Sequence, residues 1–156
     1  MPSLKRRLVL ANKRVLGALR SPEADTVATR PPTHGSFTSL TGTETCLVVT
    51  YTKKGKPIAQ PVWPGHEPDK LYVWTEENAL KARRVKTNPE ALIAPCTFRG
   101  KPLGDPVAAQ GRILTTDAER AHAREMIRRN WGWKQKLFEL TSRPITDVVY
   151  LEFTPR

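Results

Sequence analysis

From residue 45 onward, short β-branched or aromatic runs alternate with turns marked by Gly and Pro, the pattern of a β meander. Residues 45–52 are apolar and β-branched throughout. Lys53-Lys54-Gly55-Lys56 reads as a turn, with Gly55 where a positive φ is wanted, and residues 57–63 return antiparallel. Pro57 and Pro61 cannot donate ladder hydrogen bonds, which marks that return as an edge or irregular strand. A loop at 64–69 leads to a strand at 70–75, and further strands are expected at 91–98, 106–114 and 147–153. Two helices interrupt the strands. The first, over 78–87, has Asn78 as its expected cap and Asn88-Pro89 as its stop. The second begins at Thr116, with Glu119 three positions on in a capping-box pattern. It is expected to run to about Asn130 and break at Trp131-Gly132-Trp133, with a further helical turn or two over 134–140. Dominant strands with peripheral helices predict a mainly β antiparallel barrel rather than a parallel α/β sheet.

The first thirty residues follow a different rule. Leu4, Leu8, Ala11, Val15 and Leu19 recur at helical spacing, so residues 3–20 read as one amphipathic helix. Seven basic and two acidic residues lie in this stretch, and Lys13 and Arg14 interrupt what would be the apolar centre of a signal peptide. The helix is expected to pack on the domain or on a second subunit; contact with a membrane surface is the lesser reading. Residues 21–36, rich in Pro, Thr and Ser, read as a linker. The predicted organisation is therefore an N-terminal helix and linker over 1–36 and a barrel over 37–156.

Composition narrows the chemistry. At 156 residues and 38% apolar content, one domain with a real core is expected. Against 15 acidic residues stand 26 basic ones, a net charge of +11 that implies an anionic partner without naming it. Cys46 and Cys96 sit in apolar runs without C-x-x-C spacing, which predicts buried free thiols in a reducing cytoplasm. His34, His66 and His122 lack ligand spacing, so no metal site is expected. Walker, G-x-S-x-G, H-E-x-x-H and dinucleotide-binding glycine motifs are missing from the sequence, as is any apolar run of the roughly 18–20 residues a membrane span needs.

Lys81, Arg83, Arg84 and Lys86 make the first inserted helix basic. Lys81 falls in its first turn, where a cation opposes the helix dipole unless an anion is near. Arg84 lies three positions on, on the same face. Thr75 ends the preceding strand and offers a hydroxyl and an amide. These three could converge on one phosphate, Arg as a fork and Lys as a point charge. The plain alternative is a solvated helix face partly paired with Glu76 and Glu77.

The ordered set Gly55-Lys56-Pro57, Pro61-Val62-Trp63, Leu71-Tyr72-Val73-Trp74-Thr75, Lys81 to Arg84, Asn88-Pro89 and Ala94-Pro95-Cys96 with Arg99-Gly100 resembles a known family. It is the F420-dependent branch of the split β-barrel proteins related to pyridoxamine 5'-phosphate oxidase, and the likeness covers roughly residues 45–153. The resemblance implies an antiparallel split β-barrel that pairs as a homodimer with two cofactor sites at its interface. It implies that Gln60, Pro61, Val62 and Trp63 run beside the ring of coenzyme F420. Thr75 and Lys81 would bind its phosphate, with Arg84 and Arg99 in support. Two departures stand out: the N-terminal helix lies outside the common barrel, and Pro64-Gly65 follows Trp63 where an aromatic residue is more usual. No residue matches a catalytic acid or base, because the hydride comes from the reduced deazaflavin. The expected function is F420-dependent hydride transfer to or from a small organic substrate. The alternatives are an FMN-dependent enzyme on the same fold, a cofactor carrier without turnover, and a barrel that binds single-stranded nucleic acid. The last wants aromatics interleaved with cations, and only Trp63, Tyr72 and Trp74 qualify.

Overall fold

The computed structural model describes residues 20–76, 79–132 and 148–156. The amphipathic helix expected over 3–20 and the turns expected over 134–140 lie outside the described residues. Seven strands form one antiparallel sheet: β1 (Cys46–Tyr51), β2 (Pro57–Val62), β3 (Gly65–Glu67), β4 (Lys70–Glu76), β5 (Glu90–Pro95), β6 (Val107–Ile113) and β7 (Val148–Pro155). Their order is β2-β1-β5-β6-β7-β4-β3, so the curled sheet leaves β2 and β3 as its two edges. Two 3₁₀ helices, η1 (Pro22–Thr29) and η2 (Thr38–Leu40), and two α-helices, α1 (Leu80–Thr87) and α2 (Asp117–Trp131), lie around it.

Strand alternation divides the apolar residues between two faces. Cys46, Val48, Val62, Leu71, Val73, Ile93, Ala109, Leu151 and Phe153 fill the interior of the curl, joined by Val85 from α1 and by Phe37 and Leu40 from around η2. The residues between them on β1, Leu47 and Val49, face outward and are covered by Ala24 and Val27 of η1. On the far side, Tyr72 and Leu114 lie under Ala123, Met126 and Ile127 of α2. Strands covered on both faces lose the polar–apolar alternation of a half-exposed sheet, which is why residues 45–52 read as one apolar run.

Several expectations change in detail. The loop expected at 64–69 contains β3, which pairs with β4 over Gly65–Glu67. Gly65 makes that strand and its covering helix compatible: a Cβ there would sit 2.5 Å from the backbone of Met126 and Ile127. Part of the stretch read as a linker is η1, seated on the sheet by its buried Ala24 and Val27. Neither feature has a strong local signal; both depend on what packs against them. The strand expected over 91–98 ends at Pro95, since Thr97 to Gly100 form a turn closed by Gly100 N donating to Thr97 O at 2.8 Å. The turn at Gly55 has φ 80°, and α2 opens with the Thr116–Glu119 capping box.

Both sheet edges are blunted. β3 is three residues long and lies under α2. On β2, Pro57, Ala59 and Pro61 share one parity in the ladder with β1, and a proline has no N–H to give. Ala59 is thus the residue of this outward row with an amide N–H, and its carbonyl already accepts from Arg20 Nε at 3.1 Å and Nη2 at 2.7 Å. These are recognised ways of stopping one sheet from extending another.

Candidate anion-binding site

Helix α1 packs across β1, β4 and β6, and Val85 drives it into the barrel interior. Gly111 permits the fit, because a Cβ there would meet Phe153 at 2.6 Å and Val85 at 3.2 Å. The helix begins at Leu80 with Ala79 as its cap and no side-chain cap bond. Lys81 is therefore the second helical residue, and the first turn holds no acid. A cation here faces the positive end of the helix.

Arg84, one turn later, reaches back over the end of β1 and β2. Its Nε donates to Thr50 Oγ1 at 2.7 Å, and its Nη2 donates to Gln60 Oε1 at 3.3 Å. Thr50 is fully buried and shares the inward parity of Cys46 and Val48. Gln60 pairs with Val48 across the ladder, so its side chain meets the same end of the interior. Both partners of the guanidinium are neutral. Among the described residues no carboxylate pairs with Lys81 or Arg84. Burial, and then the charge of Arg84, push the Lys81 ammonium down to about 8. Burial likewise holds Arg84 below its ordinary value. Two half-buried cations one helical turn apart, with no carboxylate partner among the described residues, raise the energy of the folded chain unless an anion joins them.

The residues singled out in the sequence fall into three places. Gln60, Lys81 and Arg84 gather at this end of the barrel. Thr75 pairs with Val149 near the end of β4, half-buried, on the strand parity of Leu71 and Val73 that faces the interior. Val62 is a core residue, 8% exposed, and Pro61 turns outward toward Gly100. Trp63 belongs to an aromatic row: its ring centroid lies 5.1 Å from Phe98 and 5.4 Å from Trp131, with Trp74 6.3 Å beyond Trp131. Arg99 stands on the η1 side of the sheet, where its carbonyl accepts from Ser21 N at 2.6 Å. Arg99 is thus separated from the Lys81–Arg84 pair by the thickness of β1, since Gly100 beside it packs on outward-facing Leu47.

Thr50 was not singled out in the sequence. Its signal is the inward parity of β1, in which a hydroxyl follows Cys46 and Val48, but a threonine in a β-branched run is also an ordinary strand former. Elsewhere several titratable side chains are engaged with protein partners. His122 Nε2 pairs with Glu67 Oε1, Tyr72 donates to Glu67 Oε2 at 3.3 Å, and Arg112 Nε donates to the buried Glu152 at 3.0 Å. His66 Nε2 is bonded to the Thr43 carbonyl at 2.9 Å. Cys46 and Cys96 are buried free thiols, pushed by burial to about 11 and about 12. No grouping of metal-ligating side chains occurs among the described residues, and no helix among them is long and apolar enough to cross a membrane.

The chain matches no protein-family model and no curated protein sequence. Its structure, in contrast, is similar to many solved ones. The heme storage protein HutZ of Vibrio cholerae superposes with a TM-score of 0.57 at 14% identity, over 74% of this chain and 83% of that one. A protein of the pyridoxinephosphate oxidase family from Clostridium acetobutylicum, related to general stress protein 26, gives 0.53 at 15% identity, over 74% and 78%. A heme-binding protein from Mycobacterium smegmatis gives 0.55 at 18% identity, over 85% of this chain and 51% of that one. At these identities the likeness is one of architecture. The fold of this chain is the split β-barrel of the pyridoxamine 5'-phosphate oxidase type.

Proposed function

We propose that this protein binds coenzyme F420 and acts as an oxidoreductase on a small organic substrate. The observation that carries the reading is the Lys81–Arg84 pair: two half-buried cations one helical turn apart, Arg84 held by the neutral Thr50 and Gln60, at one end of a cofactor-type barrel. Lys81 would hold one phosphate oxygen as a point charge and Arg84 another through its planar fork, with the Thr75 hydroxyl in reach of the same end. The chemistry the deazaflavin would supply there is hydride transfer to or from an electron-poor C=C, C=N or similar group. The chain's own part is to bind and orient, and to keep water from the ring. The acidic glutamyl tail of F420 complements a chain of net charge +11. FMN also carries one phosphate and a flat ring and is the second cofactor to test. The site would be completed by a second copy of the chain, since Leu80, beside Lys81, is 65% exposed.

Two of the structural neighbours carry heme in their descriptions, and a heme site commonly needs an axial side chain. Here His66 and His122 each have Nε2 bonded to a protein oxygen, and the exposed His34 is the histidine such a reading would have to use.

The test is titration of the purified protein with F420, FMN and heme, followed by tryptophan fluorescence. Saturable, tight binding of F420 is expected. Tight binding of FMN alone would move the assignment to a flavin enzyme. Binding of neither, with salt-sensitive affinity for single-stranded DNA, would replace it with nucleic-acid binding.

A further inference from the structure

We infer that Thr50 is a positioning residue, which with Gln60 fixes the Arg84 guanidinium so that its outer edge, rather than its side, meets the anion. The inference rests on the reading of the Lys81–Arg84 pair as a phosphate site and adds to it the residues that set its geometry. A guanidinium has five N–H bonds in a rigid plane, with one two-pronged edge made by Nε and Nη2 and another made by Nη1 and Nη2. Thr50 Oγ1 takes the Nε proton at 2.7 Å, and Gln60 Oε1 takes a proton of Nη2 at 3.3 Å. The side edge is thus occupied by two neutral acceptors. No described residue accepts from Nη1, so the end edge is left for a ligand. Lys81 lies one helical turn back on the same face, so both donors address one oxyanion.

The anchor is rigid where rigidity matters. Thr50 is fully buried, is β-branched, and sits near the end of β1, held in the ladder with β2 opposite Ile58. Its hydroxyl cannot follow a wandering guanidinium. Gln60 lies on the neighbouring strand, so the arginine is held from two points across the β1–β2 ladder. A neutral anchor also has an electrostatic consequence. A carboxylate in place of Thr50 would neutralise Arg84 and remove the attraction for phosphate, whereas a hydroxyl orients the charge and leaves it uncompensated.

The experiment compares a ligand with its phosphate-free form: F420 against its deazaflavin chromophore lacking the phosphodiester tail, and FMN against riboflavin. Thr50→Val keeps shape and removes the hydroxyl; Thr50→Ser restores it. The parent protein should bind the phosphorylated partner of one pair more tightly. Thr50→Val should lower that affinity about tenfold, the scale of one charge-assisted hydrogen bond, while leaving the phosphate-free partner unchanged. Thr50→Ser should bind like the parent. If Thr50→Val does not fold, Gln60→Ala reads the same geometry from the half-buried side, with a smaller loss confined again to the phosphorylated ligand. Equal weakening of both ligands in a pair, with a lowered melting temperature, would make Thr50 merely structural and overturn the inference. Unchanged affinity in Thr50→Val alongside a loss in Lys81→Ala would overturn the inference and leave the phosphate site standing. Parent-like binding by Lys81→Ala, or no binding of either pair by the parent, would remove both.

Discussion

Lys81 is the side chain whose protonation the site should report. Its ammonium is pushed down to about 8, by burial first and by Arg84 second. In the unfolded chain it returns to the ordinary lysine value, so between these two values the unfolded state binds the extra proton and stability rises with pH. Below about pH 8 the buried charge is a full liability to the fold. An anion reverses that sign, because it favours the protonated form. Affinity for a phosphate-bearing cofactor should therefore fall as pH rises above about 8, by up to about tenfold per pH unit until the bound form also titrates; fluorescence titrations between pH 7 and 10 measure it. In Lys81→Ala this limb of the profile should vanish, and affinity at neutral pH should drop by about tenfold. Lys86→Ala, an exposed position on the same helix, should change affinity little. Equal small losses in the two variants would mean diffuse attraction instead of a site. Of this arrangement, Lys81 and Arg84 were legible from their spacing and sign. Gln60 was singled out by the family resemblance, though beside the ring and not as a partner of Arg84, and Thr50 was hidden among residues that favour strands for other reasons. Arg99 looked equivalent to Arg84 in sequence. Only the two-faced packing of β1 separates them, because which side of a strand a loop crosses is set by the layers above and below it.

At the scale of an element, α2 shows what local sequence can specify. Thr116 Oγ1 accepts from Glu119 N at 3.2 Å, and the Glu119 carboxylate accepts from Thr116 N at 3.4 Å. Thr116→Ala removes the first of these and should cost about 1 kcal/mol, which in a chain of this size lowers the melting temperature by about 2–4 °C. The same helix shows what local sequence leaves open. Its seat on β3 depends on Gly65, where a Cβ would collide with helix backbone at 2.5 Å. Gly65→Ala should push α2 away at a cost of about 1–3 kcal/mol. Because Trp131 at the end of α2 rests on Trp63 and Trp74, its emission should shift in the same variant. Unchanged emission and melting would mean that the helix is not held at this point. β3 itself was unreadable: Gly65-His66-Glu67 carries no strand former and owes its conformation to pairing with Tyr72, Leu71 and Lys70. η1 was unreadable for a related reason. A Pro- and Thr-rich segment suits a linker, and only the burial of Ala24 and Val27 makes it part of the packed layer.

At the scale of the whole molecule, the described chain exposes large apolar side chains at Leu80, Phe98 and Leu103. Phe98 packs at a tilt against Trp63, so the exposed group continues an ordered aromatic row instead of standing alone. Exposed apolar groups of this kind are what a second copy of the chain could cover. Sedimentation at micromolar concentration should give a two-fold dimer of about twice 17.6 kDa. A monomer that still binds cofactor would separate the site from the interface.

The prolines of β2 constrain how such a pair can form. Of the outward row, Pro57 and Pro61 have no hydrogen to offer, and the carbonyl of Ala59 is already satisfied by Arg20. Backbone zippering between copies is therefore closed at this margin, and β3 is short and roofed by α2 at the other. In a dimer, recognition would then fall to side chains meeting face against face, a mode that is discriminating and saturates at two. The same chemistry protects the folded chain when it is crowded: its two sheet margins offer a neighbour little to pair with, without any charge having to be spent at the edge.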